Sequence, residues 1–123
     1  MKPRDRRAAG RAGEELAREY LERAGFRIVA RNLHLRHAEL DLVALDGATL
    51  VFVEVRLRRG DRYGSAAESV DARKRRRLTA AASAALARGE LPRAARYRFD
   101  VIAIDSAHDP PRLTHLRDAF WAQ

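Results

Sequence analysis

Residues 39 to 56, ELDLVALDGATLVFVEVR, constrain this chain more than any other stretch. Two apolar runs flank Asp46-Gly47, and Asp-Gly supplies the positive φ angles of a tight turn, so the pattern predicts a β-hairpin. Three carboxylates, Glu39, Asp41 and Glu54, stand inside those runs. Side chains alternate faces along a strand, so Glu39 and Asp41 share a face with Val43 and Leu45, and Glu54 shares one with Phe52 and Arg56. A two-residue loop pairs Leu45 with Ala48 and sets Glu39 across from Glu54, with Asp41 one diagonal away. A four-residue loop sets Asp41 itself opposite Glu54. Either loop gathers all three acids on one face of the hairpin.

Opposed Cβ atoms lie about 5 Å apart, and two like charges at that distance repel by roughly 3 kcal/mol at an effective dielectric of about 20. Leu40, Leu42, Val51, Val53 and Val55 exclude water and raise the cost. A bound divalent cation relieves it, and carboxylate donors select Mg²⁺ or Mn²⁺ over Zn²⁺. The absence of cysteine agrees, since it removes thiolate ligands. The competing account pairs the acids with arginines such as Arg31, Arg36, Arg56 and Arg98. Against it stands Glu54-Val55-Arg56, which places one cation on the same face as the acids.

The rest of the chain predicts one domain over 1–123, with residues 1–8 a flexible basic N-terminus. A helix is predicted from about 8 to 24, with Ala12, Leu16, Tyr20 and Ala24 on its apolar stripe, Ala17 and Leu21 beside it, and Gly25 as its stop. FRIVARN (26–32) alternates as a strand, and 57–68 reads as a loop or flap. A second helix follows from about Ser69 to Arg88, burying Val70, Leu78, Ala81, Ala82, Ala85 and Leu86 and ending at Gly89. RYRFDVIAID (96–105) and RLTHLR (112–117) are strands, and DAFWAQ reads as a short helical tail. The order α-β-β-β-α-β-β predicts the α/β class, a mixed β-sheet flanked by helices. No apolar run approaches the ~20 residues that cross a bilayer, which predicts no membrane partner. Without a secretory h-region or cysteine, the expected location is cytoplasmic.

A net charge of +8 and a pI near 11.1 favour a polyanionic partner, nucleic acid first. Of 25 Lys and Arg residues only Lys2 and Lys74 are lysine. DARKRRRL sets five consecutive cations, residues 73–77, at a helix start, where the macrodipole disfavours positive charge and an external anion restores balance. Arg73, Lys74 and Arg77 cluster on one side. Together with Arg58, Arg59 and Arg62 of RLRRGDR they are candidate phosphate contacts, and Tyr63 is a candidate base-stacking group. His34 and His37, three apart on extended backbone, point to opposite faces and make a poor metal pair.

The hairpin with its acid-x-cation ending resembles the PD-(D/E)xK nuclease signature. GRAGEELAREYL, AELDLVALDG, LVFVEVR, YGSAAESVDARKRRRL and YRFDVIAI, in that order and covering nearly the whole chain, resemble the bacterial YraN family of predicted endonuclease-like proteins. The resemblance implies a restriction-endonuclease-like fold similar to that of archaeal Holliday-junction resolvases. It implies a Mg²⁺- or Mn²⁺-dependent endonuclease acting on DNA, with branched or structured DNA the expected substrate, and by analogy a homodimer. Asp41 and Glu54 become metal ligands, Glu14 approaches the same site, Glu39 is a supporting acid, and Arg56 occupies the place of the catalytic lysine. Asp100 matches a family position, and its place on a central strand predicts that it orders the sheet edge or the loop near the acids rather than binding metal. Two departures stand out: Ala38 replaces a glycine, and Arg56 replaces the lysine. Arg stays charged at any working pH and cannot act as a general base, though it can clamp a phosphate and neutralise transition-state charge. The alternative function is therefore a non-catalytic nucleic-acid-binding protein that keeps the nuclease fold.

Overall fold

The computed structural model describes residues 3–60 and 70–122, with side chains from residue 10 onward. Its elements are α1 (Pro3–Arg23), β1 (Arg27–His34), β2 (Glu39–Asp46), β3 (Thr49–Arg58), α2 (Ala72–Ala87), β4 (Arg96–Asp105) and β5 (Arg112–Phe120). The strands form one sheet in the order β1-β2-β3-β4-β5. All neighbours are antiparallel except β3 and β4, which run parallel because α2 carries the chain back between them. The predicted order and class are those observed.

The helices cover opposite faces. Ala17 and Leu21 of α1 pack with Leu42, Val51, Val53, Ile102 and Ile104. Leu78, Ala81, Ala82 and Ala85 of α2 pack with Val43, Leu50, Phe52, Phe99 and Val101. Sandwiched central strands are buried on both faces, which is why LVFV reads as an unbroken apolar run. Among the described residues no helix is long and apolar enough to cross a membrane.

Several sequence expectations shift. Helix α1 starts at Pro3 rather than near residue 8; proline suits a first helical position, where its missing N–H goes unused. The buried stripe of α1 runs through Gly13, Ala17 and Leu21, while Ala12 and Leu16 are exposed. The reason is close packing at Gly13: a Cβ there would lie 2.8 Å from Leu57 Cδ2, so the helix meets the sheet along its smallest residues. Helix α2 starts at Ala72, with Asp71 as its N-cap accepting from the Lys74 backbone N–H at 2.9 Å. This carboxylate partly offsets the basic first turn. Val70 is buried ahead of the helix.

The helical tail is a correction. Residues 118–120 continue β5, with Asp118 at φ 53 marking an irregularity, and Phe99 pairs with Phe120 across β4 and β5. The rings of Phe120 and Phe99 stack with centroids 4.8 Å apart. Tertiary pairing outweighs the weak local helix signal of so short a segment.

Candidate metal centre

The β2–β3 hairpin settles the register. Asp46 pairs with Thr49 across a connection of Gly47 and Ala48, Gly47 at φ 60, and the ladder continues to Leu42–Val53. This is the pairing that carries Asp41, rather than Glu39, toward Glu54. One residue beyond the ladder, the Asp41 carboxylate itself takes the next backbone donor: the Val55 N–H donates to Asp41 Oδ2 at 2.9 Å. The site lies where β2 parts from β3 and a side chain replaces the main-chain acceptor.

Glu54 follows the buried Phe52 and Val53 and is itself only 6 % exposed. Burial, then the charge of Asp41 and a side-chain hydrogen bond with it, push the Glu54 carboxyl up to about 8, with Lys74 and Arg56 pulling the other way. Glu14 arrives from α1, held against the sheet by the close approach at Gly13. Its carboxyl is also raised, by burial first and then by Asp41, against a hydrogen bond with the Asn32 side chain. Glu14, Glu39 and Asp41 each offer a carboxylate oxygen within 4.8 Å of the others. Glu54 lies outside that trio and joins it through Asp41. All four acids singled out from the sequence therefore converge.

Among the described residues, two cations face them. Arg56 Nη1 and Lys74 Nζ both approach Glu54 Oε2, at 3.4 and 3.6 Å. Arg73 and Arg77 are exposed on α2, Arg58 is half-buried and Arg59 exposed at the end of β3. Arg62 and Tyr63 lie outside the described residues. His34 sits 3.8 Å from Glu39, and His37 is exposed on the turn before β2, so the two histidines form no joint site.

A carboxylate-only donor set fits a hard divalent ion and offers nothing that favours zinc. The raised carboxyls of Glu14 and Glu54 give the physical motive: acids crowded beside the buried Glu54 gain from a dication. Asp41, Glu14, Glu39 and Glu54 are the residues able to hold it.

Sequence reasoning missed two groups. Asn32, at φ 50 within β1, brings its amide to Glu14. The signal was there: asparagine is poorly suited to a strand and tolerates the left-handed region. The second is a polar chain centred on Asp100, which is fully buried. Arg98 Nε donates to its Oδ1 at 2.8 Å, His115 Nε2 to its Oδ2 at 2.7 Å, and the Asp118 backbone N–H to Oδ1 at 3.0 Å. Tyr20 Oη meets His115 Nδ1 at 2.9 Å, tying α1 to β5. Burial opposes the Asp100 charge, but hydrogen bonds from His115, Arg98 and Asp118 outweigh it and hold its carboxyl below the usual range. Asp100 thus ties β4 to β5 and fixes the irregular end of β5.

A five-stranded mixed sheet between two helices, with acids gathered on adjacent strands at its centre, defines a restriction-endonuclease-like α/β domain. The model of the uncharacterised protein family UPF0102 matches residues 13–104. A UPF0102 protein of Xanthomonas euvesicatoria pv. vesicatoria is 50% identical over 120 residues, covering 98% of this chain and 97% of its own. One from Symbiobacterium thermophilum is 50% identical over 118 residues, covering 94% and 98%. One from Herpetosiphon aurantiacus is 46% identical over 116 residues, covering 92% and 94%. The chain belongs to the UPF0102 family, also called the YraN family.

Proposed function

We propose that this protein is a Mg²⁺- or Mn²⁺-dependent nuclease that hydrolyses phosphodiester bonds in DNA, with branched or otherwise structured DNA as the favoured substrate. The observation that carries the reading is the convergence of Glu14, Glu39 and Asp41 within 4.8 Å, with Glu54 raised to about 8 beside them. When bound, the ion supplies water activation and neutralises charge on the phosphate. Asp41 is held by the Val55 N–H, so its second oxygen keeps a fixed direction. Glu54 is anchored by the buried strand and cannot swing to solvent. The Arg56 guanidinium binds non-bridging phosphate oxygens, steadying the charge that builds during in-line attack. Arg58, Arg59, Arg73 and Arg77 hold the flanking backbone, which positions the substrate without reading bases.

A second reading follows from Arg56 itself: a chain lacking the motif lysine binds nucleic acid without cutting it. The test is incubation of supercoiled, forked and four-way-junction DNA with Mn²⁺ or Mg²⁺, beside Asp41→Asn. Metal-dependent products from wild type and none from the variant support the nuclease. Salt-sensitive binding with no product supports the second reading, and equal products from both proteins trace to a contaminant.

A further inference from the structure

Lys74 stands apart from the other cations of α2. Arg73 and Arg77 are exposed, and Arg75 is spent on structure, donating to the Val70 carbonyl at 2.7 Å and lying over the Phe120 ring. Lys74 instead turns inward, its Nζ 3.6 Å from Glu54 Oε2, while its backbone N–H is fixed by the Asp71 cap. The main chain at this point is anchored, so only the flexible stem of the side chain is left to move. In a chain where only two of 25 Lys and Arg residues are lysine, the cation of α2 that lies against Glu54 is one of them, beside Arg56 of β3. An ammonium is a compact, hydrated point charge on a rotatable stem, suited to changing partners, whereas a guanidinium prefers a fixed planar match.

The contact is loose. Charge-assisted hydrogen bonds run about 2.7–2.9 Å, and Lys74 holds back at 3.6 Å with a side chain 32% exposed. Glu54 Oε2 also carries Arg56 at 3.4 Å, so two monovalent charges stand where one divalent ion brings the same total charge. Once that ion takes the carboxylate, Lys74 faces a dication instead of an acid and is driven toward the nearest anion.

We propose that Lys74 is an exchangeable cation of the acidic centre, its ammonium lying against Glu54 in the metal-free protein and passing to a phosphate oxygen of nucleic acid when a divalent ion displaces it from the Glu54 carboxyl. This rests on the metal-site reading above and adds to it a positive coupling between metal and nucleic acid, carried by one side chain. By reciprocity, each ligand tightens the other by the same factor.

The coupling is read without any turnover. Anisotropy of a fluorescein-labelled DNA duplex gives its affinity in EDTA and in Mn²⁺, with a gel of the same samples checking that the duplex is intact. Calorimetry gives the Mn²⁺ affinity without DNA. In wild type, Mn²⁺ tightens duplex binding about tenfold. Lys74→Met cuts that ratio to about twofold or less while binding Mn²⁺ at least as tightly as wild type, because a competing cation has gone. Lys74→Arg keeps a positive charge and retains part of the ratio. Arg77→Met weakens binding equally with and without metal and leaves the ratio unchanged. Circular dichroism checks that each variant is folded. An undiminished ratio in Lys74→Met overturns the inference. So does a wild-type ratio of one; calorimetric Mn²⁺ binding in that case leaves the metal site standing, and its absence removes both.

Discussion

Replacing Glu54 by glutamine tests whether the acids are crowded as the structure has them. With its carboxyl raised from 4.5 to about 8, folded Glu54 keeps a proton that the unfolded chain has already released. The metal-free protein is therefore most stable, as far as this group is concerned, below the unfolded value. It loses stability as pH rises toward 8 and levels off above. Each pH unit inside that window is worth about 1.4 kcal/mol for one fully shifted group, so from pH 5 to 8 the loss approaches about 4 kcal/mol. Glu54→Gln cannot ionise and removes this slope. It also strips Lys74 and Arg56 of a neighbour, but both cations are one-third exposed and keep water, and at pH 5 the protonated Glu54 is no ion-pair partner to lose. The variant should match or slightly trail wild type at pH 5 and exceed it by about 3 kcal/mol at pH 8. Urea unfolding followed by circular dichroism in EDTA, at unit steps between pH 5 and 8, measures the difference. Glu14, raised in the same direction, leaves a residual slope in both proteins, so the comparison rests on the difference between them. Parallel stability curves for wild type and Glu54→Gln would refute the crowding and with it the electrostatic motive for a metal.

Asp41→Asn removes the carboxylate shared by all the acids and should weaken Mn²⁺ binding by at least about tenfold in calorimetry, the scale on which even outer-shell groups act. Asp100→Asn leaves the Arg98 and His115 partners unmatched in a buried network and should cost about 3–5 kcal/mol in urea unfolding. Because the Asp100 carboxyl is held low, its stabilising effect in wild type is present above an unfolded value near 3.8 and is lost as pH falls below it, visible as an acid limb missing from the variant. Phe120→Ala, which removes the ring stacked on Phe99, should cost about 3–5 kcal/mol, whereas a helical tail would lose far less. If Arg58, Arg59, Arg73, Lys74 and Arg77 meet phosphates, duplex affinity should fall by about two to three orders of magnitude between 50 and 200 mM salt.

The parts of the fold legible in the sequence are those written in local repeats. The apolar runs around Asp46-Gly47 announced the hairpin, and the alternation of faces announced that its acids would gather. What stayed open was the register, because Asp-Gly marks a turn without saying which residues occupy the loop; placing Gly47 and Ala48 there brings Asp41 to Glu54. Hydrophobic periodicity misplaces the stripe of α1 because glycine carries no hydrophobic weight, yet at Gly13 the helix packs so close to the sheet that a Cβ would meet Leu57. The chain Tyr20–His115–Asp100–Arg98 joins residues far apart in sequence, and no local pattern records which polar groups will meet. Asn32 was visible only as a residue out of place in a strand.

The question left by acids on apolar strands has a geometric answer. A carboxylate on a loop can turn to water when crowded, and its repulsion disappears. Glu54 cannot: it extends from β3, which is hydrogen-bonded on both sides and flanked by Phe52 and Val53 in separate cores. Asp41 is equally fixed, because its carboxylate completes the hairpin's hydrogen bonding at Val55. The repulsion is therefore built into the β-ladder and can be relieved only by a proton, by Lys74 and Arg56, or by an ion of higher charge. Competition among those three is what the site offers chemistry, and it explains why burial of an acid, normally a defect, is here set on a strand paired on both sides.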